Sequence, residues 1–141
     1  MILKVKRLNE KAKLPFRGSE EAAGLDLYTI ESFTLKPGER KLVSTGIAVE
    51  IPKGYFMLIK DRSGFAVKHG LHCLAGVVDS DYRGEIKVVL INLGNEEVKI
   101  EEGERIAQGI ILPYLKVEVE EVNELSETKR GSGGFGSTGR K

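Results

Sequence analysis

Short runs of apolar residues, separated by glycine- and proline-containing turns, recur along most of the chain. Runs rich in valine, isoleucine, leucine and tyrosine lie at residues 41–50, 55–60, 86–92 and 98–100. Residues 115–120 alternate between apolar and charged side chains, which predicts a strand with one buried and one solvated face. Many short strands joined by regular turns predict an all-β sandwich or barrel.

Two segments depart from simple alternation. Residues 86–91 carry apolar side chains on both faces, so we expect that strand to be buried on both sides. A helix is predicted only at residues 63–69, where Gly70 would end it.

The character of the chain changes near residue 123. Residues 130–141 consist mainly of glycine, serine and basic residues, with Phe135 as the one large apolar side chain. Such a segment has little to bury and is expected to be flexible. We therefore predict a β-domain over residues 1–122 and a flexible C-terminal arm over residues 123–141.

The composition narrows the classes of partner. The chain has 141 residues, enough for one domain with a proper core, and its 22 basic and 21 acidic residues leave a net charge of +1. This balance gives no reason to expect a polymeric nucleic acid or an anionic membrane as a partner. Cys73 is the only cysteine, which excludes an internal disulfide and favours a reducing compartment. Without a long apolar run, the chain is expected to be a soluble cytoplasmic protein.

The densest functional chemistry lies at residues 76–88. An apolar pair leads into a polar turn that contains Asp79, Asp81, Tyr82 and Arg83, and apolar residues lead out of it. The pattern predicts a β-hairpin with these four side chains crowded at its tip. An exposed acidic turn without a function is the alternative interpretation of these residues alone.

An aspartate inside an apolar run marks residues 23–28. Asp26 would be partly buried there, and a buried carboxylate is costly unless it is paired or hydrogen-bonded. The alternative is an aspartate that caps a loop.

The start of the predicted helix, at residues 61–66, suits an anion. A helix N-terminus presents free backbone N–H groups, while Ser63 adds a hydroxyl and Arg62 a positive charge, so a phosphate could bind there. Ser63 could also simply cap the helix, and the two interpretations are compatible.

A further strand pattern covers residues 103–110. Alternation sends Arg105 and Gln108 to opposite faces, and Gln108 shares its face with Ile106 and Ile110. Gln108 is therefore expected to be partly buried and to need a partner, of which a backbone group is the simplest. The glycine-rich C-terminal segment could wrap a phosphate chain with its N–H groups.

Taken together and in order, these stretches resemble the five sequence motifs of the trimeric dUTPase family. The matching stretches are residues 23–28, 61–66, 76–88, 104–108 and 130–139. The resemblance implies a distorted jelly-roll-type β-barrel that forms a homotrimer, with active sites at the subunit interfaces and a C-terminal arm that closes over a neighbour's site. It also implies hydrolysis of dUTP to dUMP and pyrophosphate with Mg2+, which keeps uracil out of DNA and supplies dUMP for thymidylate synthesis.

The resemblance assigns roles at the base and sugar. Asp79 matches the general base that activates the attacking water, and Tyr82 matches the aromatic residue that packs on the deoxyribose. The backbone around Leu74, Gly76 and Val78 is expected to contact the uracil edge.

Further roles concern the phosphates and the metal. Ser63 and Gln108 match phosphate contacts, Gly64 matches a substrate contact, and Arg62 matches an arginine that supports the site electrostatically. Asp26 matches a carboxylate near the metal, acting through metal-bound water.

The C-terminal arm completes the implied site. Phe135 matches the ring that stacks on uracil. Arg130, Gly136 and Ser137 match arm contacts to the substrate.

Three residues depart from the family pattern. Asp61 stands where the second motif has a small residue or proline, and Gly109 stands where the fourth has a larger apolar residue. These two changes would alter packing or phosphate affinity. Cys73 falls where some relatives have an asparagine that binds uracil, so base recognition here would rely on backbone groups.

Other functions stay open at this point. A dCTP deaminase, or a bifunctional deaminase–diphosphatase of the same fold, is the nearest enzyme alternative, while the sequence signature of zinc deaminases is absent. His69, His72 and Cys73 resemble a metal-ligand cluster only superficially, because no fourth ligand is in view. A non-catalytic nucleotide-binding regulatory trimer is the alternative from another class, and it would need neither a base nor a lid.

Overall fold

Short strands and one helix account for the regular structure of the chain, whose computed structural model describes residues 1–141. The strands are β1 (Lys4–Arg7), β2 (Leu25–Tyr28), β3 (Phe33–Leu35), β4 (Arg40–Glu50), β5 (Tyr55–Lys60), β6 (Leu71–Leu74), β7 (Val77–Val78), β8 (Glu85–Asn92), β9 (Val98–Ile100) and β10 (Arg105–Pro113). The helix α1 covers Ser63–His69. The predicted all-β class with one short helix is confirmed.

The strands pair into three sheets that share one core. Two are four-stranded, in the orders β1-β4-β8-β6 and β2-β10-β5-β7, and the third pairs β3 with β9. No continuous ring of pairing closes them into a barrel. Side chains from both four-stranded sheets meet in a single cluster of 19 buried residues, so the two sheets pack against each other.

Several elements lie where the local pattern predicts them. Strands β5 and β9 and helix α1 have the predicted bounds, while β4 and β8 each begin one residue earlier than expected. Helix α1 ends at Gly70 in the left-handed conformation (φ 68°), as predicted. No helix in the structure is both long and apolar enough to span a bilayer.

The strand predicted at residues 115–120 is wrong. Strand β10 ends at Pro113, and Leu115, Val117 and Val119 are 88%, 73% and 94% exposed. Alternation supplies two distinct faces, but a strand also needs a backbone partner, and this segment has none within the protomer.

The prediction that β8 is buried on both faces is also wrong. Ile86, Val88 and Leu90 are fully buried, whereas Val89 and Ile91 on the opposite face are only half-buried. The reason is that the sheet containing β8 packs with one face on the core and leaves the other face uncovered.

Candidate active site

The loop of residues 75–84 is not the tip of a hairpin between β7 and β8. Those two strands belong to different sheets, and β8 pairs with β6 instead, with Leu74 opposite Val89. The chain turns away after β6 because Ala75 and Gly76 both have positive φ, at 57° and 104°. Strand β7 then joins β5, next to a hydrogen bond of 2.8 Å from the Ile59 N–H to the Gly76 carbonyl oxygen. The hairpin prediction fails, but the loop links the two sheets.

A cleft of about 380 Å3 opens beside this loop. It is lined by the residues expected at the base and sugar, namely Leu74, Gly76, Val78, Asp79 and Tyr82. Most other lining residues are apolar, which suits the face of a nucleobase or sugar. At Gly76 a side-chain Cβ would lie 2.8 Å from the Ile59 carbonyl oxygen, so this turn requires glycine.

Asp79 and Tyr82 are held by the backbone of the loop. The Tyr82 N–H donates to the Asp79 carbonyl oxygen at 3.2 Å, and the Tyr82 hydroxyl donates to the Glu85 carbonyl oxygen at 2.8 Å. The Asp79 carboxylate is exposed and makes no hydrogen bond or ion pair. It is therefore free to accept a proton from a water molecule in the cleft.

Glu85 is a site residue that the sequence argument missed. Its carboxylate accepts a hydrogen bond of 2.9 Å from the Gly46 N–H, across from an irregularity in the pairing of β4 with β8. Glu85 therefore fixes the start of β8, from which its carbonyl group holds Tyr82. Only the pairing of β4 with β8 reveals this contact, so no local sequence signal could have found it.

A second group of predicted residues gathers where β2 meets β10. A β-bulge between Arg105 and Ala107 places Arg105 opposite Tyr28 and Gln108 opposite Asp26. Arg105 and Gln108 therefore share a face, and the prediction of opposite faces is wrong because the bulge adds one residue to the alternation. The Asp26 carboxylate, 18% exposed, forms an ion pair with Arg105 at 3.4 Å. It lies within a strand, so the loop-cap interpretation of Asp26 is wrong.

Gln108 has the partner that its position required. It is half-buried, and its Nε2–H donates to the Asp61 carbonyl oxygen at 2.9 Å. The predicted partial burial and the internal hydrogen bond to backbone are both confirmed. The second N–H of the amide remains available to an oxygen of a ligand.

The start of α1 places Arg62, Ser63 and Gly64 beside this group. Arg62 is the N-cap residue and Ser63 the first helical residue, with no side-chain cap, so the interpretation of Ser63 as the cap is wrong. Ser63 and Gly64 are exposed. The Arg62 guanidinium donates to the Arg105 carbonyl oxygen at 3.2 Å and lies 5.6 Å from the centre of the Phe65 ring. These contacts hold its positive charge against β10.

Asp61 and Cys73, two of the residues that depart from the family pattern, contact each other. The Cys73 N–H donates to Asp61 Oδ1 at 2.6 Å, and His72 Nδ1 lies 2.7 Å from Asp61 Oδ2. Burial acts to raise the pKa of Asp61, but hydrogen bonds from His72 and Cys73 outweigh it and hold that pKa below the ordinary value. Since an ionised carboxylate only accepts, His72 Nδ1 carries the proton that it donates.

The surroundings of the Cys73 thiol disfavour its ionised form. Burial, followed by the hydrogen bond and the negative charge of Asp61, raises the pKa of Cys73 to about 12. No group of three or more histidine, cysteine, aspartate or glutamate side chains is arranged to hold a metal ion.

The third departure, Gly109, has a packing reason. It is buried on β10, and a Cβ there would lie 2.7 Å from the Sδ of Met57, which is fully buried on β5. The large thioether on the neighbouring strand occupies the space that a larger residue at position 109 would need.

The C-terminal arm does not reach either group of residues in the protomer. Phe135 is fully exposed, and the Arg130 Nε–H donates to the Gly133 carbonyl oxygen at 2.9 Å. The backbone hydrogen bonds of residues 130–139 likewise stay within the arm. The structure therefore brings Arg130, Phe135, Gly136 and Ser137 to neither the cleft nor β10.

The remaining predicted residues fall into two groups. Asp79 and Tyr82 lie at the cleft, whereas Asp26, Arg62 and Gln108 lie around β10 and the start of α1. No hydrogen bond or ion pair joins a side chain of the first group to one of the second.

Comparisons with known proteins match the chain over nearly its whole length. A family model described as dUTPase matches residues 10–139. The deoxyuridine 5'-triphosphate nucleotidohydrolase of Nautilia profundicola is 56% identical over 142 residues, covering 99% of this chain and 100% of the relative. The protein of the same name from Hydrogenobaculum sp. is 57% identical over 144 residues and 100% of both chains. A solved mutant dUTPase of Staphylococcus bacteriophage 80alpha with dUpNHpp has a TM-score of 0.89 at 32% identity, covering 99% of each chain. With a mainly β fold and a match over nearly its whole length, the chain belongs to the dUTPase family.

Proposed function

We propose that this protein hydrolyses dUTP to dUMP and pyrophosphate, with Mg2+, and so keeps uracil out of DNA and supplies dUMP for thymidylate synthesis. The observation that carries the proposal is the cleft beside the loop of residues 75–84, where an unpaired Asp79 carboxylate lies next to an apolar cavity. Family membership and the names of the full-length relatives support the choice of substrate.

At the base and sugar, shape and backbone groups give the selectivity. Backbone groups of Leu74, Gly76 and Val78 contact the uracil edge, and the Tyr82 ring packs on the deoxyribose, leaving no room for a 2′-hydroxyl. The hydrogen bond from Tyr82 to the Glu85 carbonyl oxygen supports this role because it fixes the ring at the cleft.

Asp79 acts as the general base. It accepts a proton from a water molecule whose oxygen attacks the α-phosphorus, and the bond from that phosphorus to the bridging oxygen breaks. Pyrophosphate leaves with the electron pair of that bond, and dUMP remains.

The second group binds the phosphates. Ser63 and Gly64 at the start of α1, together with the free amide N–H of Gln108, donate to phosphate oxygens. Arg62 adds positive charge, which favours the developing charge of the transition state.

The chain offers few ligands for a metal, and those it offers fit Mg2+. The Asp26 carboxylate is partly buried and already paired with Arg105, and no protein cage of three carboxylate, histidine or cysteine ligands is present. Mg2+ commonly keeps several waters and binds through substrate phosphates, so one carboxylate acting through water is a fitting contribution. Bound there, Mg2+ would neutralise phosphate charge.

The assembly that we propose is a homotrimer of jelly-roll-type protomers, with its active sites at the subunit interfaces. Leu42 faces outward and is 55% exposed, and it pairs with half-buried Val89, which in turn pairs with Leu74. These three residues also line the cleft, so its apolar lining continues onto an exposed surface, which supports a site completed by a neighbour. The exposed side chains of Leu115 and Val117 would also be covered in an assembly.

The arm closes over a neighbour's site in this proposal. Phe135 stacks on uracil, and Arg130, Gly136 and Ser137 contact the phosphates. Complete exposure of Phe135 in the protomer supports a partner outside the protomer, because an aromatic ring gains little from lying in water.

Pyrophosphate release from dUTP tests the function directly. We expect release with dUTP and Mg2+ and little release with dCTP. Ammonia release from dCTP would instead identify a deaminase or a bifunctional enzyme. Tight binding of dUTP with no product would identify a regulatory nucleotide-binding protein and would contradict the proposal.

A further inference from the structure

Asp61 lies where β5 ends and α1 begins, and it contacts two other parts of the chain. Its carboxylate accepts from the Cys73 N–H at 2.6 Å and from His72 Nδ1 at 2.7 Å, both on β6. Its carbonyl oxygen accepts from the Gln108 side chain on β10 at 2.9 Å. One residue therefore joins the end of β5, the edge of β6 and the middle of β10.

The contact with Cys73 falls at an unpaired sheet edge. Strand β6 is the last strand in the order β1-β4-β8-β6, so one side of its backbone has no strand neighbour. A backbone N–H has a single proton, and that of Cys73 is directed to Asp61. An unpaired donor at such an edge is costly when it is sheltered from water, and a carboxylate is a strong acceptor for it.

Contacts hold both the side chain and the backbone of Asp61 in place. Both carboxylate oxygens are engaged with β6, and the side chain is only 24% exposed. The backbone of Asp61 therefore has little freedom to move away from β6. Arg62 and Ser63 follow directly in the chain, and Gln108 is bound to the carbonyl group of Asp61 itself.

We propose that Asp61 is a positioning residue that fixes the phosphate-binding segment of the site against the edge of β6. This inference rests on the function proposed above, since it takes Ser63 and Gln108 as phosphate contacts and Arg62 as the positive charge that supports them. Asp61 touches neither substrate nor reacting atoms. It sets the positions of Ser63 and Gln108, which bind the phosphates, and of the Arg62 charge beside them.

If Asp61 has this role, removing its side chain should weaken the binding of a ligand more when the ligand carries more phosphates. Loosening the segment should weaken the binding of a triphosphate, which uses all three groups, more than that of dUMP, which carries one phosphate. We expect Asp61→Ala to weaken the binding of an imido analogue of dUTP about ten-fold and of dUMP less than about three-fold, as for loss of hydrogen bonds to a charged group. Titration calorimetry on the full-length protein with Mg2+ measures both.

Two matched variants separate positioning from other effects. Asp61→Asn keeps a carbonyl acceptor for the Cys73 N–H, and its amide can donate to His72 Nδ1 once the ring proton lies on Nε2. The variant should therefore bind both ligands within about two-fold of the parent. Glu97→Ala removes an exposed carboxylate in the turn between β8 and β9 and should change neither affinity.

The contact itself has readouts that do not depend on nucleotide binding. Hydrogen exchange of the Cys73 amide should be faster in Asp61→Ala and unchanged in Asp61→Asn. The single thiol offers a second readout, because Asp61 helps to keep Cys73 un-ionised. Thiol reactivity should therefore rise in Asp61→Ala.

Several results would overturn the proposal. In the first, the Cys73 amide of Asp61→Ala exchanges faster, but the variant binds the analogue as tightly as the parent does. In the second, the substitution weakens the binding of dUMP and of the analogue by the same factor. Loss in Asp61→Asn as large as in Asp61→Ala would also contradict it. If Asp61→Ala does not fold, His72→Ala can replace it, because it removes one of the two contacts of the Asp61 carboxylate. His72→Ala should still weaken the binding of the analogue more than that of dUMP. An unchanged ratio of the two dissociation constants would contradict the proposal.

Failure of the proposed function would look different. A parent protein that binds neither ligand and releases no pyrophosphate would refute the function and with it the role of Asp61. A parent that is active while Asp61→Ala is indistinguishable from it refutes the positioning role alone.

Discussion

Of the two carboxylates that line the cleft, only Asp79 is unpaired. Glu85 is held by the Gly46 N–H at 2.9 Å, whereas the Asp79 side chain has no partner. We predict that Asp79→Asn loses about 10²–10⁴-fold in turnover, since an amide of the same shape cannot accept the proton of water. Pyrophosphate release gives kcat, and titration with an imido analogue of dUTP should show retained binding.

The neighbouring Asp81 provides the control for this variant. It lies two residues further along the same exposed loop, so Asp81→Asn makes the same chemical change outside the proposed role. Its turnover should stay within a few-fold of the parent. A turnover of Asp79→Asn in that same range would remove Asp79 from the role of base.

The single cysteine gives a prediction that depends on pH. A pKa raised to about 12 keeps the Cys73 thiol protonated, and therefore unreactive, throughout the neutral and mildly alkaline range. The native protein should not react with a disulfide reagent at pH 8, while the protein unfolded in denaturant should react at once. Rapid reaction of the native protein would show that the thiol is exposed or ionised.

The sequence predicts that some residues need a hydrogen-bond partner, but it does not identify the partner. Alternation correctly indicated that Gln108 is partly buried and needs a backbone acceptor, but the acceptor belongs to Asp61, 47 residues away. The shared face of Arg105 and Gln108 was missed because a bulge leaves no mark in the pattern. Asp61 and Cys73 each stood out as a departure from the family, yet only the structure shows that they are hydrogen-bonded.

At the scale of strands, the pairing of β5 with β10 depends on Gly109. We predict that Gly109→Ala destabilises the fold by about 1–3 kcal/mol, because the new methyl group overlaps the buried Met57 thioether. Thermal or denaturant unfolding measures the loss.

The double variant Gly109→Ala with Met57→Val is the test of the cause. Valine is shorter than methionine, so it should relieve the overlap. The double variant should therefore lose less unfolding free energy than the sum of the losses in the two single variants. Purely additive losses would show that Gly109 serves some purpose other than making room for Met57.

The bounds of the strands depend on local sequence and were largely predictable, whereas the pairing of the strands was not. The runs that became β5 and β9 carry their own period and turn signals, so their bounds matched. The choice of β6 rather than β7 as partner of β8 depends on the turn at Ala75 and on contacts with β5, which lie far apart in sequence. Residues 115–120 show the converse, since a strand pattern without a pairing partner forms no strand.

At the scale of the whole molecule, the single chain does not bring all the predicted site residues together. No hydrogen bond or ion pair joins its two groups of site residues, Leu42 is exposed, Val89 is only half-buried, and Phe135 lies in solvent. No periodicity in the sequence predicts how many copies assemble. The number of copies and the role of the arm are therefore implied by the family resemblance and not by the pattern of residues.

Deletion of residues 130–141 tests that role. The truncated chain should keep its fold and oligomeric state, because the segment holds one large apolar side chain and none of the core. Its turnover should nevertheless collapse. Ordering so many glycines costs about 1–2 kcal/mol per residue, so the arm should close only when dUTP supplies compensating contacts. Closure then excludes water and strengthens the phosphate contacts where the transition state needs them. Phe135→Ala should cost less, because the phosphate contacts remain.

Mixed assemblies decide whether the arm acts on a neighbour. The truncated chain has an intact Asp79 but no arm, and the full-length Asp79→Asn chain has an arm but no base. If an arm from one subunit closes over the base of another, mixing the two should produce assemblies with activity that neither parent has. The control is the same mixture under conditions that prevent subunit exchange, which should stay inactive. Confirmed exchange without recovered pyrophosphate release would mean that each arm closes over the base of its own chain, or that the arm is not a lid.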